Sequence, residues 1–136
     1  MKLAADANVL LAAVMGGRAK LILNPPQIQE VFTTEHTLAE VEEYTPVLAE
    51  KRRLRPDLLL LAVAALPVTV VDRAQYSASL AEARKHIAHR DPDDIELLAL
   101  ALEYKIPLWS NDRDFEIVRV ERFTTESLLR KLRIIR

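Results

Sequence analysis

The sequence predicts an α/β fold built on a mostly parallel sheet. Two observations support this prediction. Short apolar segments of strand character alternate along the chain with longer segments of helical periodicity. The 136 residues contain no internal repeat, low-complexity tract or linker, and a chain of this length can bury a core of its own. We therefore expect a single domain over residues 1–136.

Five segments have the character of buried strands. Each is a run of a few residues, dominated by apolar side chains and bounded by charged or turn-forming residues. The predicted strands are residues 2–5, 30–34, 68–72, 107–110 and 117–120.

Eight segments have the character of helices. Pro46 and Pro56 stand where two of these helices would begin, a position that proline tolerates, and Gly16 with Gly17 would end the first helix. Residues 58–66 are apolar nearly all round, so this helix should be internal or covered by another protein. The predicted helices are residues 7–14, 18–23, 35–44, 46–53, 56–66, 73–88, 94–105 and 125–133.

The composition excludes several classes of function. The absence of cysteine excludes disulfides, thiolate metal sites and cysteine nucleophiles. The only two glycines are adjacent, so no phosphate-binding glycine loop or nucleotide cofactor is expected. The longest apolar run, residues 58–71, is shorter than the roughly 20 residues that cross a bilayer and contains Pro67. With no signal-peptide pattern at the N-terminus, we expect a cytoplasmic protein that does not enter the membrane.

The charge balance limits how a polyanion could bind. A formal net charge of −1 gives no global attraction to nucleic acid, so such a partner would depend on local basic residues. Basic clusters at residues 51–55 and 130–136 are typical of solvated helix ends. Arg18, Lys20 and Arg113 are fewer but closer in sequence to the predicted acidic edge of the sheet. We predict that these three contact substrate phosphates.

Several acidic residues fall where predicted strands end or helices begin. Asp6 follows the first strand, Asp112 and Asp114 follow the segment 107–110, Asp94 opens a helix, and Glu40 lies within one. Any one of them alone could be a helix cap or a solvated acid, contributing ~1 kcal/mol. In open α/β sheets, however, ligands bind beyond the carboxyl ends of the strands. The fold class therefore allows these acids to converge.

A converging group of acids would require compensation. Two carboxylates about 4 Å apart repel by about 4 kcal/mol at an effective dielectric constant near 20, which exceeds the stabilisation from a cap. Such a group needs a cation or raised pKa values. Because the candidate ligands are oxygens, Mg²⁺ or Mn²⁺ is the expected cation. The histidines, His36, His86 and His89, have no spacing that joins a pair of them to these acids, and we do not expect them to bind metal.

Four segments resemble the acidic motifs of the PIN-domain family. They are "DANVLLAA", "LAEVEEY", "DPDDIELLALAL" and "PLWSNDRDF", in this order, and they extend from residue 6 to residue 115. The family includes metal-dependent ribonucleases and the VapC-type toxins of toxin–antitoxin pairs. The resemblance implies a three-layer α/β/α sandwich around a mostly parallel sheet of four or five strands.

The resemblance also implies a set of site residues. Asp6, Glu40, Asp94 and Asp112 would bind one or two Mg²⁺ or Mn²⁺ ions, with Asp114 as a further ligand. Asn8 and Ser110 match the polar positions that accompany the first and last acids. The choice among Asp91, Asp93 and Asp94, and the division of roles between Asp112 and Asp114, stay open.

The function implied by the resemblance is metal-dependent hydrolysis of single-stranded RNA, with an antitoxin as a partner and a homodimer as the assembly. A first alternative is a non-catalytic member that binds RNA or a protein. A second is a phosphatase with a rim of acids at the edge of its sheet, or a receiver-like phosphoacceptor, both of which are also α/β proteins with an aspartate after a strand. A receiver would need a lysine after a late strand, and no suitable lysine follows the strand at residue 107.

Overall fold

A computed structural model of the chain describes residues 1–87, 93–113, 115 and 120–135, and only the backbone of Asp93. Within these residues five strands form one parallel sheet, which confirms the predicted fold class. The strands are β1 (Lys2–Ala5), β2 (Glu30–Thr34), β3 (Thr69–Val71), β4 (Leu108–Trp109) and β5 (Arg122–Phe123).

The order of the strands in the sheet is β3-β2-β1-β4-β5. From the central β1 the chain proceeds to β2 and β3 on one side, and β4 and β5 lie on the other. The direction of winding thus reverses between β1 and β4, where Ala5 is in register with Trp109. The carboxyl ends of strands flanking such a reversal are the usual ligand-binding position in open α/β sheets.

Six α-helices in the described part of the chain cover the two faces of the sheet. Successive β1 side chains point to opposite faces, so Leu3 and Ala5 join one apolar cluster and Ala4 joins the other. The helices are α1 (Ala7–Val14), α2 (Glu35–Lys51), α3 (Pro56–Ala64), α4 (Leu80–Ile87), α5 (Asp93–Tyr104) and α6 (Thr125–Lys131). The first cluster includes residues of α1, α2, α3 and α6, and the second includes residues of α4 and α5.

The prediction of separate helices before and after Pro46 is wrong. The helix α2 continues through this proline. Its buried side chains Val41, Thr45 and Ala49 recur every four residues across the proline, so the helix presents an unbroken face to the core. Packing of this face outweighs the one helical hydrogen bond that a proline removes.

Two other predictions near element boundaries also differ from the structure. The predicted helix 73–88 begins as two short 3₁₀ turns, Arg73–Gln75 and Ser77–Ser79, and becomes α-helical only at Leu80. Of the predicted strand 117–120, residues 117–119 lie outside the described residues. The fifth strand is instead Arg122–Phe123, held by backbone hydrogen bonds to β4 from Leu108 N to Glu121 O (2.8 Å) and from Ser110 N to Phe123 O (3.0 Å).

The outer face of α3 is exposed. Leu58 and Leu61 keep 52% and 65% of their accessible surface, and Val63 is the buried residue of this helix. The apolar segment 58–66 is therefore not internal, which leaves cover by another protein as the remaining expectation. No helix among the described residues is long and apolar enough to cross a membrane.

Candidate active site

Asp6 lies at the reversal point of the sheet. It follows the last residue of β1, and its backbone N–H donates to the carbonyl of Trp109 in the neighbouring β4 (3.2 Å). Its side chain caps α1, because Oδ1 accepts the backbone N–H of Val9 at 2.9 Å. Only 6% of the residue is exposed. The helix-cap alternative is thus correct for Asp6, but it accounts for only one of its two carboxylate oxygens.

The second oxygen of Asp6 is bound by Ser110. The Ser110 hydroxyl is fully buried, donates to Asp6 Oδ2 and accepts the backbone N–H of Asp112 at 3.0 Å. The Arg122 guanidinium donates to the carbonyl of Ser110 at 3.0 Å. Ser110 therefore joins two of the predicted site acids directly, and Arg122 of β5 supports its backbone.

The loop after β4 is also fixed to α6. The Asn111 side-chain oxygen accepts the backbone N–H of Thr125 at 2.9 Å, and the indole N–H of Trp109 donates to the Thr125 hydroxyl at 3.0 Å. These bonds hold the residues on both sides of Ser110. The position of Asp112 is thus set by contacts with β5 and α6.

The four predicted acids of the quartet line one cavity. This carboxylate cavity has a volume of about 60 Å³, and a single water needs roughly 10–15 Å³. It could therefore hold several waters or a hydrated ion. The described residues that line it are Asp6, Ala7, Asn8, Thr37, Glu40, Asp94, Leu97 and Asp112.

Two helices bring the remaining acids to the cavity. Glu40 lies on α2, one turn after Thr37, so both side chains project from the same face of the helix. Its carboxylate is 3.8 Å from the imidazole of His36. Asp94 is the second residue of α5. Each acid thus comes from a different element, and the strand order makes them neighbours.

The pKa of Asp6 indicates that this arrangement of carboxylates is electrostatically unfavourable. Burial raises the pKa of its carboxyl above the ordinary value, and the Asp112 carboxylate raises it further. The hydrogen bonds from Ser110, Val9 and Asn8 oppose the shift without cancelling it. A buried acid with a raised pKa beside a second carboxylate is the arrangement expected of a cation-binding site.

The donor chemistry of the cavity fits a hard divalent cation. Its charged donors are carboxylate oxygens, the ligands that Mg²⁺ and Mn²⁺ prefer. Within residues 1–87, 93–113, 115 and 120–135, however, no three acidic, histidine or cysteine side chains are arranged to hold an ion directly. Binding partly through water is the mode that this spacing and volume allow.

Some predicted site residues lie elsewhere or outside the described part of the chain. Arg18, Lys20 and Arg113 are exposed, and none is among the described residues lining the carboxylate cavity. Asp91 and Asp114 lie outside the described residues, as does the side chain of Asp93. Asp94 lines the cavity, and the choice among Asp91, Asp93 and Asp94 stays open because the side chains of the other two lie outside the described residues.

The sequence analysis missed three residues that contribute to this region. Thr37 lines the cavity, while Asn111 and Arg122 hold the loop that carries Ser110. For Thr37 a signal was available, because it precedes Glu40 by one helical turn. The other two are recognisable only once β5 and α6 are in place.

A second acid, Glu96, is partly buried and close in sequence to Asp94. It lies two residues after Asp94 on α5, and its Oε1 is 3.2 Å from Nε of the Arg73 guanidinium, an ion pair. Burial, followed by the charge of Glu96, raises the pKa of the nearby Tyr76 hydroxyl. Glu96 Oε2 is buried with no hydrogen-bond partner among the described residues. We refer to Glu96, Arg73 and Tyr76 as the Glu96 group.

Comparison with solved structures identifies the fold. VapBC2 from Rickettsia felis, bound to a promoter DNA fragment, matches with a TM-score of 0.64 at 14% identity, covering 91% of this chain and 98% of that one. A toxin–antitoxin complex from Klebsiella pneumoniae gives 0.63 at 21% identity, with 90% and 97% covered. VapC20 from Mycobacterium tuberculosis, a Sarcin-Ricin loop cleaving toxin, gives 0.53 at 20% identity, with 88% and 98% covered.

At these identities the solved structures establish the fold alone. No curated protein matches the sequence closely enough to count as a relative. The PIN domain family, in contrast, matches residues 5–133, nearly the whole chain. The match includes every acid of the carboxylate cavity and all five strands except the first residues of β1. The chain therefore belongs to the PIN-domain family.

Proposed function

We propose that this protein is a divalent-metal-dependent ribonuclease that hydrolyses phosphodiester bonds of single-stranded RNA. The observation that carries the proposal is the carboxylate cavity, in which Asp6, Glu40, Asp94 and Asp112 meet at the reversal point of the sheet. Its likeness to VapC20, a Sarcin-Ricin loop cleaving toxin, agrees with RNA as the substrate. Asp114 would be a further ligand.

When bound, Mg²⁺ or Mn²⁺ would supply an activated water and neutralise charge on the phosphate in the transition state. The four carboxylates would hold the ion, directly or through water. One of them would also accept a proton from the attacking water. Ser110 would keep the Asp6 and Asp112 positions in register, because its hydroxyl is bonded to both residues.

We further propose that the protein acts in the cytoplasm as the toxin of a toxin–antitoxin pair. Two of the similar structures are toxin–antitoxin complexes. The exposed apolar side chains of α2, α3 and the turn between them agree with burial against another protein, an antitoxin or a second copy in a homodimer. They are Tyr44, Val47, Leu54, Leu58, Leu60 and Leu61.

Cleavage assays with controlled metal content test the enzymatic proposal. Protein stripped of metal should leave single-stranded RNA intact, should cut it after addition of Mn²⁺ or Mg²⁺, and should stop on addition of EDTA. A DNA strand of the same sequence measures the preference for RNA. Cleavage that is indifferent to EDTA would reject the metal-dependent mechanism.

A non-catalytic RNA-binding or partner-binding role is the second candidate. One observation favours it, namely that no three of the described acids are arranged to hold an ion directly. Under this alternative the protein would bind RNA or a protein partner, but adding Mn²⁺ would produce no cleavage. The same assay therefore decides between the two functions.

A further inference from the structure

Asp112 differs from the other three acids of the carboxylate cavity in how its backbone is held. Asp6 caps α1, Glu40 lies within α2 and Asp94 is the second residue of α5, so each of these three is fixed by a helix. Asp112 lies after β4 in a segment that is neither helix nor strand. Its position therefore depends on the bonds that hold this loop.

The residue before Asp112 binds α6. Oδ1 of Asn111 accepts the backbone N–H of Thr125 at 2.9 Å, and Nδ2 of Asn111 lies 3.5 Å from the Thr125 hydroxyl oxygen. A backbone N–H can only donate, so the amide atom that faces it is the oxygen, which fixes the orientation of the Asn111 side chain. Thr125 is the first residue of α6, where a backbone N–H has no partner within the helix. Asn111 thus supplies the acceptor that this N–H needs.

Thr125 joins both sequence neighbours of Ser110 to α6. Its hydroxyl oxygen accepts the indole N–H of Trp109 at 3.0 Å, while its backbone N–H donates to Asn111. Ser110, between these two residues, accepts the backbone N–H of Asp112 at 3.0 Å. Trp109 and Ser110 are fully buried, whereas Asn111 is exposed. The bond from Asn111 to α6 can therefore be removed without leaving a hole in the core.

We propose that Asn111 is a positioning residue of the metal site, which holds the carboxylate of Asp112 at the carboxylate cavity by binding α6. This inference rests on the metal site of the proposed ribonuclease function. Before a cation binds, the carboxylates of Asp6 and Asp112 repel each other, and a loose loop would let Asp112 withdraw from the cavity. The bond to α6 opposes this movement. Less ordering of the loop is then needed when the cation binds, which favours binding.

The alternative is that Asn111 only stabilises the N-terminus of α6. The same end of the helix offers a matched control for this alternative. The Ser127 hydroxyl accepts the backbone N–H of Thr124 at 2.8 Å and donates to the Thr124 carbonyl at 3.0 Å. Within the described part of the chain, no hydrogen bond joins Ser127 to the loop after β4. Ser127→Ala should therefore disturb the start of α6 but leave Asp112 in place.

The melting temperature in EDTA and the dissociation constant for Mn²⁺, measured by calorimetry, are compared for Asn111→Ala and Ser127→Ala. Both variants should melt roughly 2–4 °C below the parent, because each loses a hydrogen bond at the same helix end. Asn111→Ala should also bind Mn²⁺ about 10-fold more weakly, the lower end of the range for groups that orient metal ligands. Ser127→Ala should stay within about twofold of the parent, since its hydroxyl orients no ligand.

A double-mutant cycle tests whether Asn111 acts through Asp112. Asp112→Ala removes the carboxylate that Asn111 is proposed to position. In this background Asn111→Ala should weaken Mn²⁺ binding by less than about twofold, because no carboxylate is left for it to hold. A general disturbance of the site would instead weaken binding by the same factor in both backgrounds.

Three results would overturn the inference. In one, Asn111→Ala binds Mn²⁺ as tightly as the parent; in another, Ser127→Ala loses as much affinity as Asn111→Ala. In the third, Asn111→Ala has the same effect with and without the Asp112 carboxylate. A parent that binds no Mn²⁺ would reject the metal site, and this inference with it. A parent that binds Mn²⁺ but leaves RNA intact would reject the ribonuclease function, while the Mn²⁺ measurements would still decide the role of Asn111.

Discussion

The Glu96 group and the carboxylate cavity differ in whether an arginine or lysine side chain of the protein lies beside their acids. In the Glu96 group, an arginine side chain of the same protein lies 3.2 Å from the carboxylate. In the carboxylate cavity, the described lining residues include four acids and no lysine or arginine, and the pKa of Asp6 is raised. The difference indicates that Glu96 belongs to the structure of the protein, whereas the cavity is suited to a cation from solution.

The largest expected effect is on activity. Asp6→Asn, Asp94→Asn and Asp112→Asn should each reduce RNA cleavage by about 1000-fold or more, and combining them should add little, since groups that hold one ion act as a unit. Glu42→Gln and Asp57→Asn are controls that alter exposed acids outside the cavity. If a control variant were as inactive as the cavity variants, the loss of activity would not be specific to the acids of the cavity, and their assignment to the site would be wrong.

The second effect is on stability and concerns the Glu96 group. Arg73→Gln should lower the free energy of unfolding by about 1–2 kcal/mol, because it leaves the Glu96 carboxylate without its cation. This value is reduced from the 3–5 kcal/mol of a fully buried pair since 58% of the Arg73 side chain is exposed. Denaturant unfolding measures the change.

Arg55→Gln is the matched control for Arg73→Gln. Arg55 pairs with Asp57 at 2.7 Å, but both side chains are more than half exposed. Its removal should change stability by only about 0.5 kcal/mol. Equal losses in the two variants would mean that Glu96 gains no more from Arg73 than a surface acid gains from its partner.

The third effect, on the melting temperature, is smaller, and here the substitution should stabilise the protein. In EDTA, Asp6→Asn should melt roughly 2–4 °C above the parent, corresponding to relief of about 1 kcal/mol of unfavourable charge. Asparagine keeps an oxygen that can cap α1 at the Val9 N–H. With saturating Mn²⁺ the order should reverse, because the parent binds the ion more tightly in its folded state.

The pH dependence of stability in the metal-free protein also tests whether the charge of Asp6 is unfavourable in the folded state. A carboxyl group whose pKa is raised by folding binds protons more readily in the folded state than in the unfolded state. The ionised group lowers the stability of the folded protein, and this loss disappears as the pH falls from neutrality through the raised pKa. The parent should therefore gain stability relative to Asp6→Asn on acidification in EDTA. A parent that loses stability relative to the variant over this range would contradict the raised pKa.

The smallest expected effect concerns Tyr76. Because burial raises its pKa, the unfolded chain ionises this hydroxyl near pH 10 while the folded protein keeps it protonated, so stability should fall as the pH rises above about 10. Tyr76→Phe should be slightly less stable at neutral pH and should lose less stability between pH 9 and 11. Parallel pH profiles for parent and variant would show that Tyr76 does not titrate differently on folding.

The sequence predicted most of the fold because the strong patterns coincide with the core. Residues 2–5 and 30–34 are strands as predicted, since each is an apolar run buried beside the other at the centre of the sheet. Arg122–Phe123 was missed because two partly buried residues carry no periodic pattern, and pairing with β4 alone makes them a strand.

The site was also predictable only in part, because some of its residues have no distinctive sequence pattern. Asp6, Asp94 and Asp112 could be named from their positions at strand ends and helix starts, and Glu40 from the resemblance to the PIN-domain motifs. The fold brings the four to one cavity. Thr37 had a signal in its spacing of one helical turn from Glu40, but that spacing alone does not show which face of α2 meets the cavity. Arg18 and Lys20 are exposed and do not line the cavity, and their contact with substrate phosphates stays a prediction.

The hydrogen bond between Ser110 and Asp6 joins residues 104 positions apart. Synthesis proceeds from the N-terminus at about 5–20 residues per second, so roughly 5–20 s pass between the appearance of Asp6 and that of Asp112. Throughout this interval the growing chain lacks β4 and the serine that joins the two aspartates. An unfinished or prematurely terminated chain would then carry several of the acids without the completed cavity. Under the proposed ribonuclease function, such a chain would leave the ribosome and its messenger intact.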